Sequence, residues 1–248
     1  MTATRLAGRA VLRVSPRVES EDVHAFLQGL VTNDLRADRL AEGPVYAALL
    51  TAQGKAMFDF LAWGDGAGIL IDCEAAVADE LAKRLGLYRL RRAIDIERDG
   101  SLAVHWSAQP REGAAPDPRL AALGWRWLAP ANAGEESADD AWLAHRLAHG
   151  VPEGRDELGD TLWLETNAVE LHGVSFDKGC YVGQENTARM NWRQKVNRRL
   201  VVVDLARSQE KRRKASYPEL GKAIDHLRVS DLDPDTLPEW QAAGVSAQ

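Results

Sequence analysis

The chain has 248 residues, 45% of them apolar and 27% charged, with 31 Lys and Arg against 37 Asp and Glu for a net charge of −6. That is ample for a packed core in one large domain or two to three small ones, and the acidic balance argues against general nucleic-acid binding. There are only two cysteines, Cys73 and Cys180, neither in a Cys-x-x-Cys pair. The chain alone is therefore not expected to hold an iron–sulfur cluster or a structural zinc.

A reducing compartment is expected, without a disulfide between the two thiols. No apolar run approaches the roughly 20 residues of a membrane span, so no membrane association is expected. Arg5, Arg9, Arg13 and Arg17 precede the first acid, Glu19, a composition shared with organelle transit peptides. However, residues 9–14 alternate like a half-buried strand leading into folded sequence, so a cytoplasmic location is expected.

In chain order, Ser20 or Glu21 begins a helix with the apolar stripe Val23, Phe26, Leu27, Leu30 and Val31, ending near residues 32–34. Residues 45–50 and 56–63 flank Gln53-Gly54-Lys55 and predict a β-hairpin. Residues 68–73 predict a strand, 75–85 a helix and 93–97 a further strand. Residues 102–106 and 125–128 predict strands either side of a Pro/Ala/Gly-rich loop, 108–119. A helix follows over 138–149, and a strand over 200–205. Hairpins mixed with helices predict an α+β fold with antiparallel sheets.

The chemistry concentrates in residues 178–190: Lys178-Gly179-Cys180-Tyr181-Val182-Gly183-Gln184-Glu185-Asn186-Thr187-Ala188-Arg189-Met190. The glycines permit positive φ or close backbone approach, and Gly183 is placed to precede a helix. Lys178, two residues from Cys180, can favour a thiolate. Gln184 and Glu185 offer an amide and a carboxylate suited to the N–H edge of a heterocycle, and Arg189 can grip a carboxylate. The alternative is a glycine turn leading into a surface helix, with Cys180 buried as a small apolar residue. Cys73, after Ile69-Leu70-Ile71, is expected in the core. His145 and His149 share a helix face at i,i+4, but no metal motif surrounds them and no metal site is expected. The basic runs 193–199 and 211–214 are expected on the solvated surface, and the eight Trp mostly in the core.

Lys178 to Glu185 resembles, at every specified position, the Lys-Gly-Cys-Tyr-x-Gly-Gln-Glu hallmark of the YgfZ family of folate-binding proteins, relatives of the aminomethyltransferase (T-protein) of the glycine cleavage system. Residues 26–34, 48–55, 88–91, 146–152, 164–167 and 173–177 resemble the family in the same order. The resemblance covers roughly residues 5–205.

It implies a cloverleaf of α+β lobes, with expected boundaries at 1–100, 101–198 and 199–248. It also implies a small C-terminal β-barrel, which is expected to be short and reduced because the tail after residue 205 departs from the family in being short and highly charged. The implied role is a tetrahydrofolate-binding accessory protein that supports iron–sulfur cluster assembly or repair, with folate and iron–sulfur client or assembly proteins as partners. Cys180 is the implied reactive group, with Lys178 tuning it. Gly179, Tyr181, Gly183, Gln184, Glu185 and Arg189 shape or line the folate site, and Asn33, Glu165 and Asn167 complete it.

Two alternatives stand beside this role. One is a folate-dependent aminomethyl or C1 transferase with Asp59 as acid/base. The T-protein's Asp-Asp pair is reduced here to Phe58-Asp59, which points away from it. The other is a non-catalytic interaction module that has lost folate binding.

Overall fold

The computed structural model describes residues 3–132, 134–193 and 195–246. Its elements begin with β1 (Arg9–Pro16), α1 (Val23–Gln28), α2 (Ala37–Ala41), β2 (Val45–Leu50), β3 (Ala56–Asp65), β4 (Gly68–Glu74), α3 (Ala78–Arg89) and β5 (Ile94–Arg98). The five strands form one antiparallel sheet in the order β2-β3-β4-β1-β5. Two-residue alternation divides its side chains between two cores. Ala10, Leu12 and Val14 of β1 face one way, with Phe26 and Leu27 of α1 and Leu81 and Leu85 of α3. Val11 faces the other way, with Tyr46, Ala48, Leu61 and Leu70. Both faces of β2 are covered, so all six of its residues are buried.

Helix α1 is shorter than its apolar stripe predicts. The Asp22 side chain accepts from the Ala25 N–H at 2.9 Å and caps its start. Beyond Gly29 the chain leaves the helix, and Val31 bridges to Leu49 of β2 instead. Leu30 and Val31 thus follow the apolar pattern without being helical. The five-residue α2 carries too little periodicity to have been anticipated.

Next come β6 (Leu102–Ser107), β7 (Ala115–Pro116), β8 (Trp125–Pro130), α4 (Asp139–Ala148), α5 (Arg155–Leu158) and α6 (Gln184–Arg193). The second sheet has the order β6-β8-β7. The last elements are β9 (Arg198–Asp204), β10 (Arg213–Tyr217), β11 (Lys222–Arg228) and α7 (Glu239–Ser246). The three strands form an open antiparallel sheet, β10-β11-β9. No closed barrel occurs among the described residues; the strands after residue 205 complete a sheet instead.

Where the first sheet meets the second, the core is ionic. Arg9 and Asp72, from β1 and β4, pair at 2.6 Å. Arg126 of β8 reaches Asp72 at 2.9 Å, Asp117 at 3.1 Å and Glu153 at 3.3 Å. Arg119 pairs with Asp117 at 2.8 Å and Glu153 at 2.6 Å. Removing a charge from water is costly, and these charges are tolerated because each is multiply paired. Burial works against Glu153, but Arg119, Arg9 and Arg126 together hold its carboxyl well below the usual range. The basic run 193–199 is not wholly surface as expected. Arg199 is buried and pairs with Glu170 at 2.8 Å, because β9 carries it inward. Gln194 lies outside the described residues.

Candidate functional site

The 178–190 segment docks on the β2–β3 hairpin through two glycines. Gly183 has φ 82° and Gly54 has φ 78°. A Cβ on Gly183 would lie 2.4 Å from the Thr51 carbonyl oxygen and 3.1 Å from the Gly54 Cα. Only a residue without a side chain permits that approach. Helix α6 starts at once after it. The Asn186 side chain donates to the Gln53 carbonyl at 2.8 Å, and the Thr187 hydroxyl to the Gly183 carbonyl at 3.2 Å. The Gln184 side-chain oxygen accepts from the Tyr181 N–H at 3.3 Å, closing the turn ahead of the helix.

Lys178 anchors the other end of the loop. It is buried, and its Nζ donates to the carbonyls of Gln28 at 2.7 Å, Asn33 at 3.0 Å and Val31, where α1 ends. Gln28 is the last residue of α1, where a cation is well placed, and Val31 and Asn33 belong to the turn that follows. Burial pulls the ammonium down to about 8, with Asp34 opposing. Its hydrogen bonds go to backbone, so the amine that the sequence assigns to tuning Cys180 is also a staple between the loop and α1. Tyr181 lies 5.2 Å from the amine, ring centroid to Nζ, and burial pushes its hydroxyl up to about 12.

Between these anchors Cys180 is exposed and free of any disulfide, which overturns the alternative in which it is a buried apolar residue. Nothing stands within 4 Å of the Cβ position of Gly179. The other thiol, Cys73, is buried, and burial pushes it up to about 12. The chain thus has one presented thiol and one inert one.

Of the remaining residues named for folate, Glu185 and Arg189 line one pocket with Ala188 and Trp192 and Asn33 meets the loop through Lys178, whereas Glu165 and Asn167 lie against the C-terminal sheet. Glu185 and Arg189 pair with each other at 2.7 Å on the solvent side of α6. Asn33 donates to the Tyr46 carbonyl at 2.8 Å and the His172 carbonyl at 2.7 Å. Asn167 is fully buried at φ 66°, donating to the Leu200 carbonyl at 2.9 Å and accepting from Arg199 at 3.1 Å. Glu165 lies 3.0 Å from His226 of β11. Asn33 ties the turn after α1 to β2 and to His172, while Asn167 and Glu165 fasten the chain to the C-terminal sheet. Asp59 is buried, accepting from the Gly154 N–H at 3.2 Å and the Tyr46 hydroxyl at 3.4 Å. Burial and the charge of Glu153 raise it to about 6.

A cavity of about 300 Å³, the three-sheet cavity, lies between the first and third sheets and α4, the helix that follows the second sheet. Gly8, Arg9 and Glu74 come from the first sheet region, Trp142 and Leu143 from α4, and Tyr217 from β10. Asp139, Asp140, Glu153, Arg155 and Glu157 add charge to its walls. The Trp142 indole N–H donates to Glu153 at 2.9 Å, and the Arg126 guanidinium lies 4.3 Å from its ring centroid. Glu157 takes Arg146 at 2.6 Å and the Tyr217 hydroxyl. None of these residues was singled out from sequence for this cavity. They are scattered over more than 200 positions and share no local motif; only Arg146 fell within a segment resembling the family.

The chain is 37% identical over 236 residues to the human mitochondrial iron–sulfur cluster assembly factor IBA57, covering 80% of this chain and 65% of that protein. It is 35% identical over 242 residues to the mouse protein of the same name, covering 82% and 66%. A Neurospora crassa homologue is 31% identical over 234 residues, covering 80% and 52%. The chain therefore spans less than two thirds of the length of these relatives. No family model matches it. Among solved structures, the glycine cleavage aminomethyltransferase T of Bartonella henselae has a TM-score of 0.63 at 9% identity, covering 91% of this chain and 78% of that one. At that identity the likeness shows the fold alone.

The relatives are named mitochondrial, which corrects the expected cytoplasmic location and points to the mitochondrion. Folded-domain composition reports solubility and charge and does not separate the two compartments.

Proposed function

We propose that this chain is a YgfZ-type accessory factor for iron–sulfur cluster assembly that acts through Cys180 and binds tetrahydrofolate. The observation that carries the first half is the presentation of Cys180. One exposed thiol sits on a loop stapled by Lys178 at one end and by the Gly54–Gly183 contact at the other. A lone thiolate supplies one bond to a cluster iron. It can therefore assist a cluster held by another protein and cannot store one itself. The iron–sulfur cluster assembly role for which the relatives are named supports this reading.

The proposed tetrahydrofolate site is the three-sheet cavity rather than the motif loop. A volume of about 300 Å³ is at the lower end of ligand sites, enough for a pterin head with its tail outside. Glu74 and Asp139 are carboxylates suited to the donor edge of a pterin, and Arg155, which pairs with Glu80 through one guanidinium nitrogen, has others suited to the carboxylates of its glutamate. Bound there, the cofactor would supply a reduced ring able to carry one-carbon units. The chain's part is to hold it: Trp142 is fixed from two sides, and Glu157 is fixed by Arg146 and Tyr217.

The test reconstitutes an iron–sulfur enzyme from its apo form in the presence of wild type or Cys180→Ala. Wild type is expected to speed cluster gain and the variant not to; equal acceleration rejects the thiol's role. Calorimetry with tetrahydrofolate tests the ligand separately. Wild type and Cys180→Ala are expected to bind alike, and Leu143→Trp, which fills the cavity, at least tenfold more weakly. No binding by wild type rejects the folate half alone.

A further inference from the structure

The end of α3 carries a feature that neither the thiol loop nor the three-sheet cavity uses. Helix α3 buries Leu81 and Leu85 against the sheet, but Leu87 is 62% exposed. Leu90, which ends the helix, is 85% exposed and has φ 51° and ψ −112°. Glycine is the usual residue at positive φ after a helix, and a leucine held there is strained. The strain brings no burial in return. Val18, also exposed, follows Arg17, whose N–H bonds the Ala93 carbonyl at 2.7 Å, so it adjoins the same segment.

The charge around these side chains runs against the chain's overall balance. Residues 83–98 hold six cations, Lys83, Arg84, Arg89, Arg91, Arg92 and Arg98, against Asp95 and Glu97, in a chain of net charge −6. The nearby acids are largely taken: Asp95 pairs with Arg17 at 2.5 Å, Glu21 with Arg92 at 2.6 Å and Glu80 with Arg155 at 2.6 Å. Among the described residues, Lys83, Arg84, Arg91 and Arg98 have no carboxylate within 4.0 Å.

We propose that this end of α3 is a docking surface for a partner protein that presents acidic side chains around an apolar pocket for Leu90. Charge complementarity sets the sign of the partner. The strained backbone sets its kind: holding one leucine in a fixed direction serves a shaped protein pocket and brings nothing against a fluid lipid surface. Helix α3 packs on the face of the first sheet opposite the three-sheet cavity, so docking there leaves the cavity open.

The experiment places photoreactive benzoylphenylalanine at position 90 of the full chain in cells, with position 220 as the exposed control, and identifies the adducts by mass spectrometry. The expected result is a protein adduct specific to position 90, with an acidic surface at the cross-link. Its yield should fall at least fivefold in Arg84→Glu/Arg91→Glu. An adduct profile like that of the control, adducts to lipid only, or a yield that survives the charge reversal would each overturn the proposal. A second variant separates docking from folding. Leu90→Gly is expected to melt no lower than wild type yet bind the identified partner at least tenfold more weakly. Unchanged affinity would contradict the role of Leu90.

Discussion

Gly54 and Gly183 meet backbone to backbone, with a Cβ on Gly183 only 3.1 Å from the Gly54 Cα and both residues at positive φ. This contact seats the N-terminus of α6 on the β2–β3 hairpin and so fixes where the Cys180 loop begins.

Gly183→Ala forces a side chain against the Thr51 carbonyl at 2.4 Å and strains the backbone. The expected loss is on the order of 3 kcal/mol in urea unfolding. Gly179, one residue before the thiol, has open space around its Cβ position, so Gly179→Ala is expected within about 0.5 kcal/mol of wild type. Equal losses for the two would refute the contact.

Lys178→Met removes the donor shared by the carbonyls of Gln28, Val31 and Asn33. Leaving buried acceptors unmet is expected to cost ~2 kcal/mol or more. The loosening should be local first, so amide exchange near residues 28–33 should quicken more than exchange in β4. Uniform quickening would argue against a staple.

Asp59 titrates at about 6 in the folded chain, against about 4 for a free aspartate. The folded state therefore holds a proton that the unfolded state has released. The stabilisation is fully present below pH ~4 and is lost as pH rises through about 6. Asp59→Asn keeps an acceptor for Gly154 and removes this dependence. The stability difference between variant and wild type should grow between pH 4 and 6, to on the order of 2 kcal/mol in the variant's favour at pH 7. A difference flat with pH would show that Asp59 is already ionised at pH 4.

The strands were legible because burial on a sheet leaves a two-residue or continuous apolar signature, as in β1 and β2. The motif helix was legible from Gly183 onward. The true end of α1 was not, since Leu30 and Val31 keep the apolar pattern while leaving the helix for a bridge to Leu49. Cys180 and its loop stood out locally. The ionic core and the three-sheet cavity did not, because Arg9, Glu153 and Tyr217 become neighbours only through tertiary packing. Asn33, Glu165 and Asn167, named by resemblance, proved to make structural bonds that no sequence spacing reveals.

The thiol's role is tested most directly in cells lacking the native protein, by measuring the activity of an iron–sulfur enzyme after expression of wild type, Cys180→Ala or Cys73→Ala. Because Cys180 is exposed and Cys73 buried, Cys180→Ala should fold and accumulate like wild type yet fail to restore activity. Cys73→Ala should restore it in proportion to the protein that accumulates. Full restoration by Cys180→Ala would contradict a function carried by that thiol.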